Sequence, residues 1–173
     1  MNYLLIYTQR KSISLQVNNE GELIVKAPPH TSRKIIEDLI RRKWDWIIEQ
    51  QNKQKNKIRL SPREIDIIKE AARQCIPPRV DHYAKIMKVK YNRITIKMQK
   101  TRWGSCSSQK NLNFNCLLML APTEVLDAVI VHELAHLKEM NHSPAFYKIV
   151  RSVYPEYDKY YSWLKENAST IIQ

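Results

Sequence analysis

The chain has 173 residues, of which 43% are hydrophobic and 27% are charged, so it is long enough to bury a core. It contains no apolar run near the roughly 20 residues that a membrane-spanning helix needs, and no signal-peptide pattern at its start. These features exclude a membrane protein and predict a soluble globular chain that begins at Met1. Its three cysteines are an odd number without framework spacing, so we expect a reducing, cytoplasmic location.

The charge balance is strongly basic. With 29 Lys and Arg residues against 17 acids, the formal net charge is +12, which favours anionic partners. Much of the excess lies between residues 33 and 59, in a predicted helical segment. A solvated helix face in a basic protein explains it, and the alternative is a helix that lies near nucleic acid. Charge alone identifies no ligand, and the oligomeric state is left open.

The first region, residues 1–60, is predicted to be a β-meander followed by a helix. Three short runs rich in β-branched and aromatic residues are interpreted as strands. They span residues 3–7, 12–17 and 22–27. Thr31 or Ser32 can cap a helix whose apolar residues repeat at helical spacing as far as Ile48. The polar stretch that follows is expected to end this helix.

The second region, residues 61–173, is predicted to be catalytic, and the two regions are expected to form one compact unit. A helix from Pro62 to about Cys75 is followed by Pro77 and Pro78, which predict a kink or break before further helix. The remaining elements are expected as strands at residues 93–98 and 111–115 with a loop or hairpin between them, and as helices at residues 122–140, from Ser143-Pro144, and from Pro155 to Ile172.

The segment VHELAHLKEMNH carries the predicted chemistry. His132 and His136 are four residues apart on a predicted helix, so their rings leave the same face and can share one metal ion. Glu133 is adjacent, where its carboxylate can reach a water on the metal without being a ligand. A zinc ion held by three protein groups keeps one coordination position open. This arrangement predicts a zinc-dependent hydrolase with Glu133 as the general base.

His142 is the predicted third ligand. It lies ten residues after His132, about 15 Å further along a straight helix, which is too far to share a metal. The helix must therefore stop. Asn141 tolerates a left-handed conformation, and Ser143 begins a new helix, so the chain can reverse at His142. The simpler alternative, a buried amphipathic helix with satisfied histidines, does not explain a glutamate between two histidines at metal spacing.

Three segments of this sequence resemble the YgjP-like predicted metal-dependent hydrolases, relatives of the WLM and SprT-like zinc peptidases. They are TRWGSCSS, NLNFNCLLMLAP and HELAHLKEMNHSPAFY, and the likeness continues through the N-terminal strands and the helix that ends in KWDWI. The resemblance implies an α+β, zincin-like fold, in which a small antiparallel or mixed sheet packs on the HExxH helix and its edge strand can receive an extended substrate. It also implies one Zn²⁺ at the three histidines and Glu133 as the catalytic acid and base.

The TRWGSC segment is placed beside the cleft by the same resemblance, with Arg102, Trp103 and Ser105 as candidate substrate-binding residues. Gly104 suits a tight or unusual turn, and a purely structural hairpin explains this segment equally well. The histidine spacing also matches metzincins, but Glu139 stands where that pattern has glycine. A metzincin is therefore not assigned.

Three functions remain open from the sequence. A metallopeptidase is favoured by the HExxH helix and an available edge strand. The resemblance also implies a nucleoside triphosphate (UTP) pyrophosphatase that uses the same site, and the basic charge fits such a substrate. A non-enzymatic, zinc-stabilised nucleic-acid-binding module is the third possibility, but three histidines leave an open position rather than a closed four-ligand cage.

Overall fold

The computed structural model describes residues 2–171, without the side chain of Ser169. The chain divides into two compact units, Met1–Ile58 and Arg59–Gln173. Two small mixed sheets and six α-helices in the described part confirm the predicted α+β class. No helix within residues 2–171 combines the length and apolarity needed to cross a bilayer.

The first unit is a three-stranded sheet with two helices. Its elements are β1 (Tyr3–Tyr7), β2 (Ser14–Val17), β3 (Leu23–Ala27), α1 (Arg33–Arg42) and α2 (Trp44–Lys55). Alternate residues of β3 are fully buried, which matches a sheet with one face in the core. The buried cluster consists of Leu23, Val25, Ala27, Ile36, Ile40 and Ile47.

The predicted antiparallel meander is wrong, because β1 does not pair with β2. The strand order is β1-β3-β2, with β1 parallel to β3 and β2 antiparallel to it. Only the β2–β3 connection is a tight turn, in which the side-chain oxygen of Asn18 accepts hydrogen bonds from the backbone N–H groups of Glu20 and Glu22. The longer β1–β2 connection lets β1 reach the other edge of the apolar strand β3.

The predicted first helix is two helices. Lys43, at φ −107° and ψ 17°, ends α1 and begins α2. Contrary to expectation, the polar stretch after Ile48 stays helical to Lys55, supported by an ion pair of 2.6 Å between Lys53 Nζ and Glu49 Oε1. Opposite charges at this i, i+4 spacing stabilise exposed helix without apolar contacts.

The second unit holds the candidate site. Its elements are α3 (Pro62–Met87), β4 (Arg93–Lys97), β5 (Gly104–Cys106), β6 (Asn111–Asn115), a 3₁₀ helix (Cys116–Leu120), α4 (Thr123–Ala135), α5 (Pro144–Val153) and α6 (Tyr157–Ile171). Helices α3, α5 and α6 pack on α4, and so does strand β5. Ten of the 13 residues of α4 are buried, so this helix is the centre of the unit.

Of the predicted kink or break at Pro77 and Pro78, the break is wrong, because α3 is one helix of 26 residues. The two prolines remove hydrogen bonds only to the carbonyls of Arg73 and Gln74, both exposed residues whose carbonyls can bind water. The buried face of α3 carries small and aliphatic side chains that hold the helix together across this point. They are Ala72, Ile76, Val80, Ala84 and Met87.

The second sheet is mixed, with strand order β4-β6-β5. β4 runs parallel to β6, and β5 runs antiparallel to β6, so the predicted hairpin is confirmed. Two helix ends differ from expectation: α4 stops at Ala135 rather than Met140, and α6 begins at Tyr157 rather than Pro155. The predicted end of the last helix at Ile172 lies outside the described residues.

Candidate metal centre and active site

Helix α4 and the turn after it position the first two histidines. His132 and Glu133 lie in the last turn of α4, and His136 is its C-cap residue. The ring centroids of His132 and His136 are 5.0 Å apart, as their i, i+4 spacing predicts. Both Glu133 and His136 are buried, at 5% and 8% exposure, because the apolar residues of α4 carry them into the interior.

The chain reverses between α4 and α5 and brings His142 back to the other two histidines. The Nε2 atoms of His142 and His132 are 3.0 Å apart. The predicted reversal occurs, but it does not use the left-handed conformation that Asn141 tolerates, because Asn141 is not among the positive-φ residues of the described chain. The reversal uses hydrogen-bonded turns after Ala135 instead, and the Ser143 hydroxyl then caps α5 by accepting from the Phe146 N–H.

The three histidines form a donor set that can hold one metal ion. One ligand atom from each of His132, His136 and His142 lies within 4.8 Å of the others. Three neutral imidazoles suit Zn²⁺, which binds histidine nitrogen and accepts an open fourth position in catalytic sites. The arrangement therefore fits a divalent metal with one coordination position free.

The outward nitrogens of two of these rings have partners. His136 Nδ1 lies 3.2 Å from the Glu139 carbonyl oxygen, and His132 Nδ1 lies 2.8 Å from Tyr157 Oη. Because a carbonyl only accepts, His136 Nδ1 carries the hydrogen and Nε2 presents its lone pair. Histidines that bind a metal usually donate this ring N–H to a carbonyl oxygen, a carboxylate or a water. The tyrosine was missed, since nothing local relates residues 132 and 157.

Burial keeps the two deepest imidazoles neutral. Desolvation, with smaller contributions from His136 and His142, lowers the pKa of His132 to about 3. Desolvation likewise lowers the pKa of His136. Since a metal binds only the neutral imidazole, both rings are in their ligand form at neutral pH.

The side chain of Glu133 is buried against strand β5, away from solvent. Burial raises its pKa to about 8, while the positive charge of Arg102 acts in the opposite direction. A Cβ atom at Gly104 would lie only 2.6 Å from Glu133 Oε1. Gly104 is therefore needed for close approach and not for an unusual turn, because its φ is not positive. The expectation of a tight or unusual turn at Gly104 is therefore wrong, since Gly104 lies in strand β5.

The candidate substrate residues line a cleft with two lobes. One cavity of about 250 Å³ and another of about 260 Å³ share Arg102, Gly104, His132, Glu133 and His142. The first lobe adds Thr101, Trp103, Val129, Tyr161 and Leu164. The second adds Ser105, Cys106, His136 and Met140. The structure thus brings all three candidates to the cleft, with Trp103 and Ser105 in different lobes, and adds Tyr161 and Leu164 from α6.

Tyr157 provides a test of how the histidines are oriented. Its side chain is 1% exposed, and its hydroxyl is the partner of His132 Nδ1. Removing this hydroxyl in Tyr157→Phe is expected to weaken Zn²⁺ affinity by about 10–100-fold, because the ring loses the group that orients it. Competition with a chromophoric chelator measures the change. Tyr160→Phe, on the same helix, is the control, and equal affinities for the two variants would contradict this role.

The fold and site together define a class. A helix bearing HExxH, with a third histidine returning to it and a small mixed sheet alongside, is the arrangement of zincin-like, metal-dependent hydrolases. Within that class, the chain belongs to the YgjP-like family, whose metallopeptidase-domain model matches residues 11–69 and 63–167. The family resemblance noted in the sequence is therefore confirmed, and family membership supports a hydrolase that uses a divalent metal.

Two solved structures and one curated relative are also similar to this chain. The metallopeptidase zymogen of Pyrococcus abyssi abylysin has a TM-score of 0.50 and 19% identity, over 57% of this chain and 99% of that one. This likeness concerns the fold and confirms the zincin-like prediction. The zymogen of Methanocaldococcus jannaschii jannalysin has a TM-score of 0.48 and 25% identity, over 54% and 96%. UTP pyrophosphatase of Escherichia coli (strain K12) is 32% identical over 60 residues, which cover 35% of this chain and only 36% of that protein.

Proposed function

We propose that this chain is a zinc-dependent hydrolase of the metallopeptidase type. In this proposal His132, His136 and His142 hold one Zn²⁺, and Glu133 is the general base. The observation that carries it is the convergence of three imidazole donor atoms within 4.8 Å, next to a buried glutamate. A cleft of two lobes opens on the same groups, so a substrate can reach them.

The chemistry divides between the metal and Glu133. A metal ion held by His132, His136 and His142 would supply Lewis-acid chemistry, which would polarise the carbonyl or phosphoryl oxygen of a substrate and lower the pKa of water. Glu133 accepts a proton from the attacking water and returns it to the leaving group. Burial favours the protonated form of Glu133 that returns the proton, whereas the positive charge of Arg102, together with that of a metal ion when bound, favours the ionised base that accepts it.

The edge strand of the second sheet supports a peptide substrate. β5 is the last strand in the order β4-β6-β5, and two of its residues, Ser105 and Cys106, line one lobe of the cleft. An extended peptide can pair with the free edge of such a strand, which would align its backbone along the glutamate and histidines. A closed structural zinc site would offer neither an open coordination position nor a cleft.

A nucleoside triphosphate pyrophosphatase is the second candidate. Two observations favour it: the exposed side chain of Arg102 borders both lobes, and the local similarity is to a UTP pyrophosphatase. A guanidinium group can donate two parallel hydrogen bonds to phosphate oxygens, that is, it binds them in bidentate geometry. Nucleic-acid proximity through the basic first unit and a cytoplasmic location both stay predictions.

One assay series separates these functions. The zinc-loaded full chain is incubated with casein, with a quenched-peptide library and with each nucleoside triphosphate, before and after zinc removal by a chelator. Peptide cleavage that is lost on chelation and restored by Zn²⁺ supports the first proposal. Zinc-dependent release of pyrophosphate from UTP would instead support the second. A folded protein with bound zinc and no turnover of any substrate would overturn both.

A further inference from the structure

Asn115 is a fully buried polar residue whose side chain binds only backbone groups. It ends β6 and is 0% exposed. Its Nδ2 donates to the carbonyl oxygens of Gln99 (2.8 Å) and Arg102 (2.9 Å), and its Oδ1 accepts from the N–H groups of Leu117 (3.1 Å) and Gln99 (3.4 Å). The backbone N–H of Asn115 donates to the Trp103 carbonyl at 2.8 Å. Every donor and acceptor of this side chain is thus used.

The strand order explains why a side chain is needed at this point. β4 and β5 lie on opposite sides of β6, so residues 98–103 must cross the end of the central strand. Lys97 is paired with Asn115 and Gly104 with Phe114, so the crossing starts and finishes beside Asn115. The crossing residues belong to no strand, so the carbonyls of Gln99 and Arg102 lie outside the sheet ladder, whereas that of Trp103 accepts from the backbone N–H of Asn115. The amide of Asn115 supplies the missing hydrogen bonds.

The segment that Asn115 binds, which includes Arg102 and Trp103, forms one wall of the cleft. Two of the bonded carbonyls belong to Arg102 and Trp103, and the next residue is Gly104, which abuts Glu133. Arg102 borders both lobes, and Trp103 borders one. A shift of this segment would therefore move the groups that face a substrate, while the histidines are held independently by α4 and the turn before α5.

We infer that Asn115 is a positioning residue, which fixes the Arg102–Gly104 wall against Glu133 for the hydrolytic reaction. This inference rests on the proposed function for its kinetic part only. The amide acts through the backbone and touches neither the substrate nor the reacting atoms.

The test uses Asn115→Asp and Asn115→Ala in the full chain. Asp keeps the shape but replaces the two donors by an oxygen that repels the carbonyls. Trypsin is expected to cut after Lys100 and Arg102 at least tenfold faster than in wild type. The KM of the substrate is expected to rise at least fivefold, with zinc content unchanged. Cleavage at wild-type rates together with an unchanged KM in the folded variants would overturn the inference.

Asn111→Asp is the matched control, because Asn111 is another buried asparagine of β6 whose bonds go to the side chains of Asn92 and Gln109. It should leave both readouts at wild-type values. If wild type hydrolyses nothing, the proposed function fails while the trypsin result still decides this inference. If neither Asn115 variant folds, NMR of wild type decides: slow hydrogen exchange at the Asn115 side-chain amide and the Gln99 N–H supports the inference, and fast exchange overturns it.

Discussion

Replacing Glu133 by glutamine is expected to abolish hydrolysis while the zinc stays bound. Glutamine has nearly the shape of glutamate but cannot take a proton from water or return one to the leaving group. General acid and base catalysis contributes about 10²–10⁴ in rate, so kcat should fall by at least that range. Steady-state kinetics on whichever substrate is turned over, together with zinc content from atomic absorption, provide the measurement.

Glu124→Gln is the matched control for this variant, because Glu124 is an exposed glutamate in the first turn of the same helix. Its kcat should equal that of wild type. Retention of activity in Glu133→Gln would remove this residue from the mechanism. Loss of zinc together with activity would instead give Glu133 a part in holding the metal.

The same variant should be more stable than wild type when zinc is removed at alkaline pH. The pKa of Glu133 is raised from 4.5 to about 8 in the folded chain, so folding favours the protonated acid. This stability is fully present below pH 4.5 and is lost as the pH rises through 8, whereas glutamine does not titrate. The loss accumulates between pH 4.5 and pH 8, so at pH 8 the gain of the glutamine variant is on the order of 5 kcal/mol. Thermal unfolding of both proteins in chelator across this pH range measures it, and parallel pH profiles would contradict it.

Gly104→Ala is expected to lower kcat by about 10²-fold without unfolding the protein. The new Cβ would lie 2.6, 2.7 and 2.9 Å from the Oε1, Cγ and Cδ atoms of Glu133. These atoms belong to a side chain, which moves more easily than the backbone. The Glu133 carboxylate is therefore expected to shift away from the position in which it acts as the general base. Kinetics, zinc content and thermal unfolding of the variant are the measurements.

Gly21→Ala is the control for the effect of adding a methyl group to a glycine. Gly21 has a φ of +84°, but a Cβ there meets nothing within 4 Å. This substitution should cost stability through backbone strain and leave kcat unchanged. A Gly104→Ala enzyme with wild-type kcat would show that the close approach of β5 to Glu133 has no catalytic consequence.

Local patterns predicted much of this molecule. The i, i+4 spacing of His132 and His136 indicates rings on one face, and their centroids are 5.0 Å apart. Alternating residues indicated the strands β4 and β6, and Ser143-Pro144 indicated the start of α5. Each of these features depends on neighbours within a few positions of the chain, which is the range that periodicity and capping chemistry describe.

The features that were missed depend on distant parts of the chain. Strand β1 pairs with β3 rather than with β2. Which strands pair depends on how separate strands pack together, and the residue pattern within one strand does not determine it. Pro77 and Pro78 stay helical because buried contacts of α3 outweigh two lost hydrogen bonds. Tyr157 contacts His132 from a helix 25 residues further along the chain, so no local sequence pattern predicts this hydrogen bond. The need for glycine at position 104 likewise comes from Glu133 on another element.

X-ray absorption at the zinc edge, on the zinc-loaded full chain and on His142→Ala, shows whether all three histidines bind the same metal ion. We expect one zinc ion per wild-type chain, with three imidazole nitrogens at about 2.0–2.1 Å and one further light-atom ligand. His142→Ala should retain two imidazoles and bind zinc at least tenfold more weakly. An unchanged imidazole count and unchanged zinc affinity in that variant would contradict the three-histidine site.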